Sequence, residues 1–214
     1  MQGAGLVMFG GTFDPSHLGH LAVVRGLRAE TGLPVLVVPA GRPRLRRSPL
    51  APPQARLEML ELALAALGDP LVSICRRELE DQGPSVTFET VDWLRRGGER
   101  RRLWLALGAD AASRLGRWEQ APALLEEVGI LVFDRAGCRQ GGEAALEALA
   151  RAGLPLQGAR ALNLAAPAVA ARSVRERLGR GQSCADLLPE PVADYIHSHE
   201  LYRKPTRPPR RPGR

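Results

Sequence analysis

Two histidines, His17 and His20, stand three residues apart, a spacing that puts both imidazoles on one side of a helical turn. Just before them an apolar run ends at Gly10 and Gly11, where the missing Cβ lets a backbone turn and a ligand approach closely. Asp14-Pro15-Ser16 then reads as a helix start, with free amide N–H groups and the positive end of the helix dipole. Gly10, Gly11, Thr12 and Phe13, followed by two imidazole donors, therefore describe an anion site. The chemistry that suits it is phosphoryl transfer, in which a protein mainly positions groups and stabilises charge on the equatorial and leaving oxygens. One such donor matters by about two to three orders of magnitude in rate, or roughly 3–4 kcal/mol. Taken singly, the glycine pair is an ordinary turn and each histidine a cap or a core residue; only the combination is specific. A resident metal would need a further ligand, and no HExxH or matching His/Glu cluster supplies one.

The elements that must hold these residues alternate between short aliphatic strands and amphipathic helices, the pattern of a doubly wound, Rossmann-like α/β fold with a parallel sheet and helices on both faces. Strands are expected at 6–9, 35–38, 71–74, 103–107, 130–133 and 161–164. Helices are expected at 17–30, 53–67, 87–96, 121–127, 142–152, 173–178 and 189–199, the last two forming a small C-terminal helical part. A Pro/Arg-rich loop, 39–53, falls at the carboxyl end of the sheet, where ligands of such folds bind.

Charge narrows the partners. The formal net charge is +7, but residues 203–214 hold six of the 30 basic groups and no acid, so residues 1–202 carry a net +1. We read 1–202 as the folded domain and 203–214 as a disordered basic tail, which argues against a nucleic-acid-binding face on the domain. Cys75, Cys138 and Cys184 lack a CxxC pair, and no apolar stretch spans a bilayer, so a soluble cytoplasmic protein without a membrane partner is expected.

The segment GGTFDPSHLGH resembles the GxFDPxHxGH signature of the HxGH nucleotidyltransferase superfamily, and in particular of the bacterial nicotinate-nucleotide adenylyltransferases. VVPAGRPRLR, GPSVTFET, GADAASRLGRW and the C-terminal VRERLGRGQSCADLLPEPVADYIHSHELY extend the resemblance from about Leu6 to Tyr202. It implies that ATP with Mg²⁺ and nicotinate mononucleotide are the substrates and deamido-NAD⁺ the product. It further implies that His17 and His20 hold the ATP phosphates and that Asp110, after Gly108, meets a ribose hydroxyl. By the same resemblance Trp118 stacks on the pyridine ring, Ser85 and Thr87 receive the nicotinate carboxylate, and Arg135 lies near that nucleotide. Read alone, Asp110 is as well a helix cap, Trp118 a core residue, Ser85 and Thr87 a plain cap and Arg135 surface charge.

Two segments depart from the family pattern. Where relatives carry PPHK, this chain has Pro43, Arg44, Leu45 and Arg46; Arg46 keeps the lysine's charge as a planar fork. Where relatives carry ISSTxIR, it has VAARSVR, so phosphate binding falls to Arg172, Arg175 and backbone amides, and Ser173 with Glu176 reads as a capping box that starts the helix later. The competing readings are a sister enzyme acting on nicotinamide mononucleotide or phosphopantetheine or using a cytidylyl donor, and a non-catalytic nucleotide- or nucleic-acid-associated protein.

Overall fold

The computed structural model describes residues 5–43, 48–134, 141–164 and 166–203. Every expected strand is present: β1 (Gly5–Gly11), β2 (Val35–Pro39), β3 (Val72–Ile74), β4 (Arg102–Gly108), β5 (Val128–Phe133) and β6 (Arg160–Leu162). They form one sheet in the order β3-β2-β1-β4-β5-β6, with every pairing parallel. The chain winds outward from β1 to β3, then crosses back and winds the other way from β4 to β6. Connections leaving β1 and β4 therefore diverge, and a crevice opens between them at the carboxyl edge of the sheet.

Alternation along the strands feeds two cores. Leu6 and Met8 of β1, Leu105 of β4 and Ile130 of β5 face one side, beneath α4 (Thr87–Arg96), α6 (Ala121–Glu127) and α7 (Gly142–Arg151). Val7, Phe9, Val37 and Leu131 face the other, where α1 (Leu18–Thr31) and α2 (Pro53–Ala65) contribute Val24, Leu27 and Leu60. Helices thus cover both faces, and the strands buried on both sides are mainly aliphatic, with Phe9, Trp104 and Phe133 among them. A third apolar cluster seats Val174 of α8 (Ala171–Leu178) and Val192 and Ile196 of α9 (Glu190–Ser198) on Leu21, Met59 and Ala63 of α1 and α2. Burying an aliphatic side chain of this size contributes about 1.5–3 kcal/mol, enough for a few such residues to hold this C-terminal part in place.

Four details depart from expectation. β1 continues through both glycines, and the turn falls instead at Phe13, which takes a left-handed φ of 51°. Gly11 is needed because the buried Phe13 ring folds back onto it; a Cβ there would lie 2.9 Å from the ring. α8 begins at Ala171, not at Ser173, and Ser173 makes no cap. Glu176 pairs instead with Arg172 one turn earlier, which extends the helix N-terminally. The one-turn helices α3 (Arg77–Glu80) and α5 (Ala109–Ala112) were not expected, since four residues show no periodicity. Apart from Arg203, the basic tail lies outside the described residues. Among the described residues no helix is long and apolar enough to cross a membrane.

Candidate active site

At the start of α1 the two histidines cap the helix for each other. His17 is the N-cap residue, and its Nδ1 accepts from the His20 amide at 3.3 Å; Nδ1 of His20 accepts from the His17 amide at 3.3 Å. This is a capping box with imidazoles in both places. The rings stack with centroids 3.6 Å apart and planes 16° from parallel. With Nδ1 accepting, the ring proton of a neutral imidazole sits on Nε2, the tautomer that can donate; His17 is buried, at 3% exposure, and His20 is half-buried. The local fold thus sets the tautomer that a phosphate oxygen requires. The Phe13 ring meets the His20 ring edge-on, with centroids 4.8 Å apart.

The expectation that the first-turn amides stay free is corrected. The Leu18 amide donates to the Leu187 carbonyl at 2.9 Å, and the His17 and His20 amides are used in the box. An anion arriving here would meet the helix dipole and the imidazoles more than open N–H groups. Gly19 lets the segment leading into α8 approach: a Cβ there would stand 3.1 Å from the His17 ring and 3.2 Å from Val169. Two helix starts consequently face one place, and Arg175 of α8 reaches across to donate to the Asp14 carbonyl, 3.7 Å from the Asp14 carboxylate.

Beside this region a cavity of about 340 Å³ runs from Gly10, Gly11 and Thr12 to Ser85 and Thr87 at the start of α4. Leu105 and Leu107 of β4 form its floor, and Trp118 closes one side, half-buried against the first core. Mainly apolar, with the exposed Arg114, Arg117 and Glu119 and the buried Glu78 in its lining, it suits a heteroaromatic ring carrying polar substituents. Ser85 is more tied down than expected. Its amide donates to the Arg42 carbonyl at 3.0 Å, and its Oγ accepts from the Gly41 amide at 2.8 Å and the Arg42 amide at 3.2 Å. Gly41 is required there, since a Cβ would collide with the Glu78 carbonyl at 1.9 Å. Thr87 opens α4, whose N-cap Val86 makes no side-chain cap.

The buried Glu78 carboxylate accepts from Thr90 Oγ1 at 2.8 Å. Burial pushes its carboxyl above the usual carboxylate range, and hydrogen bonds from Thr90 and Ser85 only partly offset this.

The other candidates separate. Gly108 is buried as the N-cap of α5 at the end of β4, and Asp110 follows it, exposed and 3.5 Å from Arg114. Arg172 turns to the surface, its side chain 81% exposed and paired with Glu176, and Ser173 is exposed beside it. Arg46 and Arg135 lie outside the described residues. Among the described residues no group of three or more His, Cys, Asp or Glu is placed to hold a metal ion.

Sequence reasoning missed Arg56, Glu78, Arg114, Arg117 and Tyr202. Arg56 left a signal: it occupies the buried stripe of α2 with Met59, Leu60 and Ala63, where a charge is out of place. Glu78 sits in the run RRELED and reads as solvated charge.

Residues 8–200 match the cytidylyltransferase-like family. A "probable nicotinate-nucleotide adenylyltransferase" of Yersinia pestis is 36% identical over 209 residues, covering 92% of this chain and 94% of its own length. One of Laribacter hongkongensis is 39% identical over 208 residues, covering 92% and 93%. Among solved structures, the Plasmodium falciparum nicotinic acid mononucleotide adenylyltransferase complexed with NaAD superposes with a TM-score of 0.74 over 92% of this chain and 97% of that one, at 15% identity. That last likeness speaks to the fold, and the sequence relatives carry the family. The chain belongs to the cytidylyltransferase-like family and, within it, to the nicotinate-nucleotide adenylyltransferases.

Proposed function

We propose that this protein transfers the adenylyl group of ATP to nicotinate mononucleotide, giving deamido-NAD⁺ and pyrophosphate, in the cytoplasm and as a step in making a pyridine dinucleotide. A phosphate oxygen of the mononucleotide attacks the α-phosphorus of Mg·ATP, the bond from that phosphorus to the bridging β-oxygen breaks, and pyrophosphate leaves with the electron pair. No side chain is covalently modified. The observation that carries the reading is the reciprocal histidine cap beside an apolar cavity at the reversal point of the sheet.

His17 and His20 donate from Nε2 to the triphosphate and stabilise charge as it shifts toward the leaving group. Arg175 adds positive potential at the same place, Gly10, Gly11 and Thr12 form the wall along which the nucleotide lies, and the buried Phe13 supports that wall from behind. We assign Gly108 and Asp110 to the adenosine ribose, and Trp118, Thr87 and Ser85 to the pyridine nucleotide. Arg172, Ser173, Arg46 and Arg135 keep only the support of the family resemblance. The divalent cation arrives as part of Mg·ATP, where it offsets phosphate charge. Rate then comes from aligning two anions and neutralising them.

Nicotinamide mononucleotide has one observation in its favour: Glu78, if ionised, opposes a second carboxylate in the cavity, whereas Arg114 and Arg117 welcome it. A pyrophosphate-release assay with Mg·ATP and each of nicotinate mononucleotide, nicotinamide mononucleotide and phosphopantetheine tests the reading. Turnover is expected chiefly with the first and lost in His20→Ala. Release with phosphopantetheine and neither pyridine nucleotide overturns it.

A further inference from the structure

Arg56 is fully buried; its two terminal nitrogens donate to carbonyl oxygens of two different loops, while its Nε has no hydrogen-bond partner among the described residues. Nη1 donates to Thr12 at 2.8 Å, on the loop between β1 and α1, and to Ala40 at 2.6 Å, on the loop between β2 and α2; Nη2 donates to Gly41 at 3.1 Å. Gly41 then passes the connection on, its amide donating to Ser85 Oγ at the acceptor side. One side chain thus joins the wall of the triphosphate region to the loop that fixes the start of α4. A fully buried guanidinium is costly, and an apolar side chain of similar volume would generally serve stability as well. What an apolar residue cannot do is hold three carbonyls at fixed separations.

A second buried group acts on the other side of the signature loop. Asp14, 3% exposed, accepts from the Leu50 and Ala51 amides at 2.8 and 3.1 Å, and from Tyr202 Oη at 2.7 Å. Tyr202 comes from the turn after α9, where it holds a left-handed φ of 63°. The C-terminal turn therefore clasps the residue three positions before His17.

We propose that Arg56 and Tyr202 are positioning residues: Arg56 sets the separation between the triphosphate loop and the acceptor loop, and Tyr202 holds Asp14 so that the stacked histidines keep their orientation. The proposal rests on the adenylyl-transfer reading. In-line attack between two bound anions is sensitive to distance, and a misplacement near 1 Å costs about 10²-fold.

The test uses the full chain with Arg56→Met, Arg56→Lys and Tyr202→Phe. Arg56→Met is expected to lower kcat by about 10²-fold while KM for ATP and for the acceptor moves less than about threefold. Arg56→Lys, which keeps donors for Thr12 and Ala40 but not the fork, is expected to recover about tenfold of that loss. Tyr202→Phe keeps the ring and removes one hydrogen bond, and is expected to lower kcat by about tenfold. It is also expected to move the ¹⁵N imidazole signals of His17 and His20 in the nucleotide-free protein, a readout that needs no acceptor. A purely structural role would lower Tm and leave turnover per folded molecule and the imidazole signals unchanged, and that result overturns the proposal. If Arg56→Met does not fold, Arg56→Lys and Tyr202→Phe decide. Should the wild type fail to adenylylate nicotinate mononucleotide, the functional reading falls, while the imidazole signals still decide the positioning role.

Discussion

The two sides of the crevice are built on opposite principles. On the triphosphate side nearly every polar group is tied to another: the histidines cap each other, Asp14 collects two amides and a phenol, and Arg56 holds three carbonyls. On the acceptor side the contact surface is mainly apolar, with Leu105, Leu107 and Trp118 shaping a cavity and charges at its edge. Transferring a charged group demands donors fixed before the reaction, because a donor that must reorganise gives back much of what it contributes. Recognising a flat ring demands shape and area, which aliphatic and aromatic side chains supply without fixed hydrogen bonds. Turnover should therefore be sensitive to single atoms on one side, and affinity to bulk on the other.

The strongest test of that contrast is His17→Asn. Asn is a good N-cap and its Oδ1 replaces Nδ1 as acceptor for the His20 amide, but the Nε2 donor is gone. We expect kcat to fall by about 10²–10³-fold, with Tm within a few degrees of the wild type by calorimetry. A comparable loss of Tm would mean that the histidine acts through the cap alone. Next comes Trp118→Ala, which removes area and no charge. KM for the pyridine nucleotide should rise by about tenfold, equivalent to roughly 1.4 kcal/mol, while KM for ATP stays put in steady-state kinetics. A fall in kcat at constant KM would place Trp118 on the wrong side of the comparison.

The same contrast explains what was legible in the residues alone. The sheet was readable because its strands are short aliphatic runs separated by helices, and 6–9, 35–38 and 103–107 fall within β1, β2 and β4. His17 and His20 were readable because two imidazoles at i and i+3 after a strand are rare in combination. Their mutual cap was not, since capping boxes are recognised by Ser, Thr and Glu. The turn was misplaced onto the glycines because a left-handed Phe13 is unfavourable by itself, at about 1–2 kcal/mol, and is held by the packing of its ring against Gly11, Phe9 and His20. Glu78 was invisible for a different reason: only the approach of Gly41 and Thr90, distant in the chain, turns that charge inward.

Glu78 sharpens the acceptor side. Its carboxyl is raised by burial, so the folded protein favours the protonated form more than the unfolded chain does. Its contribution to stability is then fully present below the ordinary carboxylate range and is lost as pH rises through the raised folded value. Glu78→Gln removes the ionisation, so its stability relative to the wild type should climb across the mildly acidic range and level off above it, as measured by urea unfolding at a series of pH values. A flat difference would mean that Glu78 is as well solvated as an exposed carboxylate, and the acceptor wall would then be more polar than described.

The smallest effect comes from one of two exceptions on the wired side, the other being Arg56 Nε. Ser16 is 1% exposed, and its Oγ has no hydrogen-bond partner among the described residues. A buried hydroxyl without a partner is unfavourable by about 1–3 kcal/mol, and deleting it removes that term while giving up little packing. Ser16→Ala should therefore stabilise the protein by about 1 kcal/mol, which for a chain of this size raises Tm by roughly 2–4 °C, with kcat unchanged. If the variant instead loses stability, the hydroxyl has a partner in solution, and it no longer counts as an exception on the triphosphate side. If it keeps its stability but loses turnover, Ser16 belongs to the donors that meet the nucleotide, one residue before His17 in the chain.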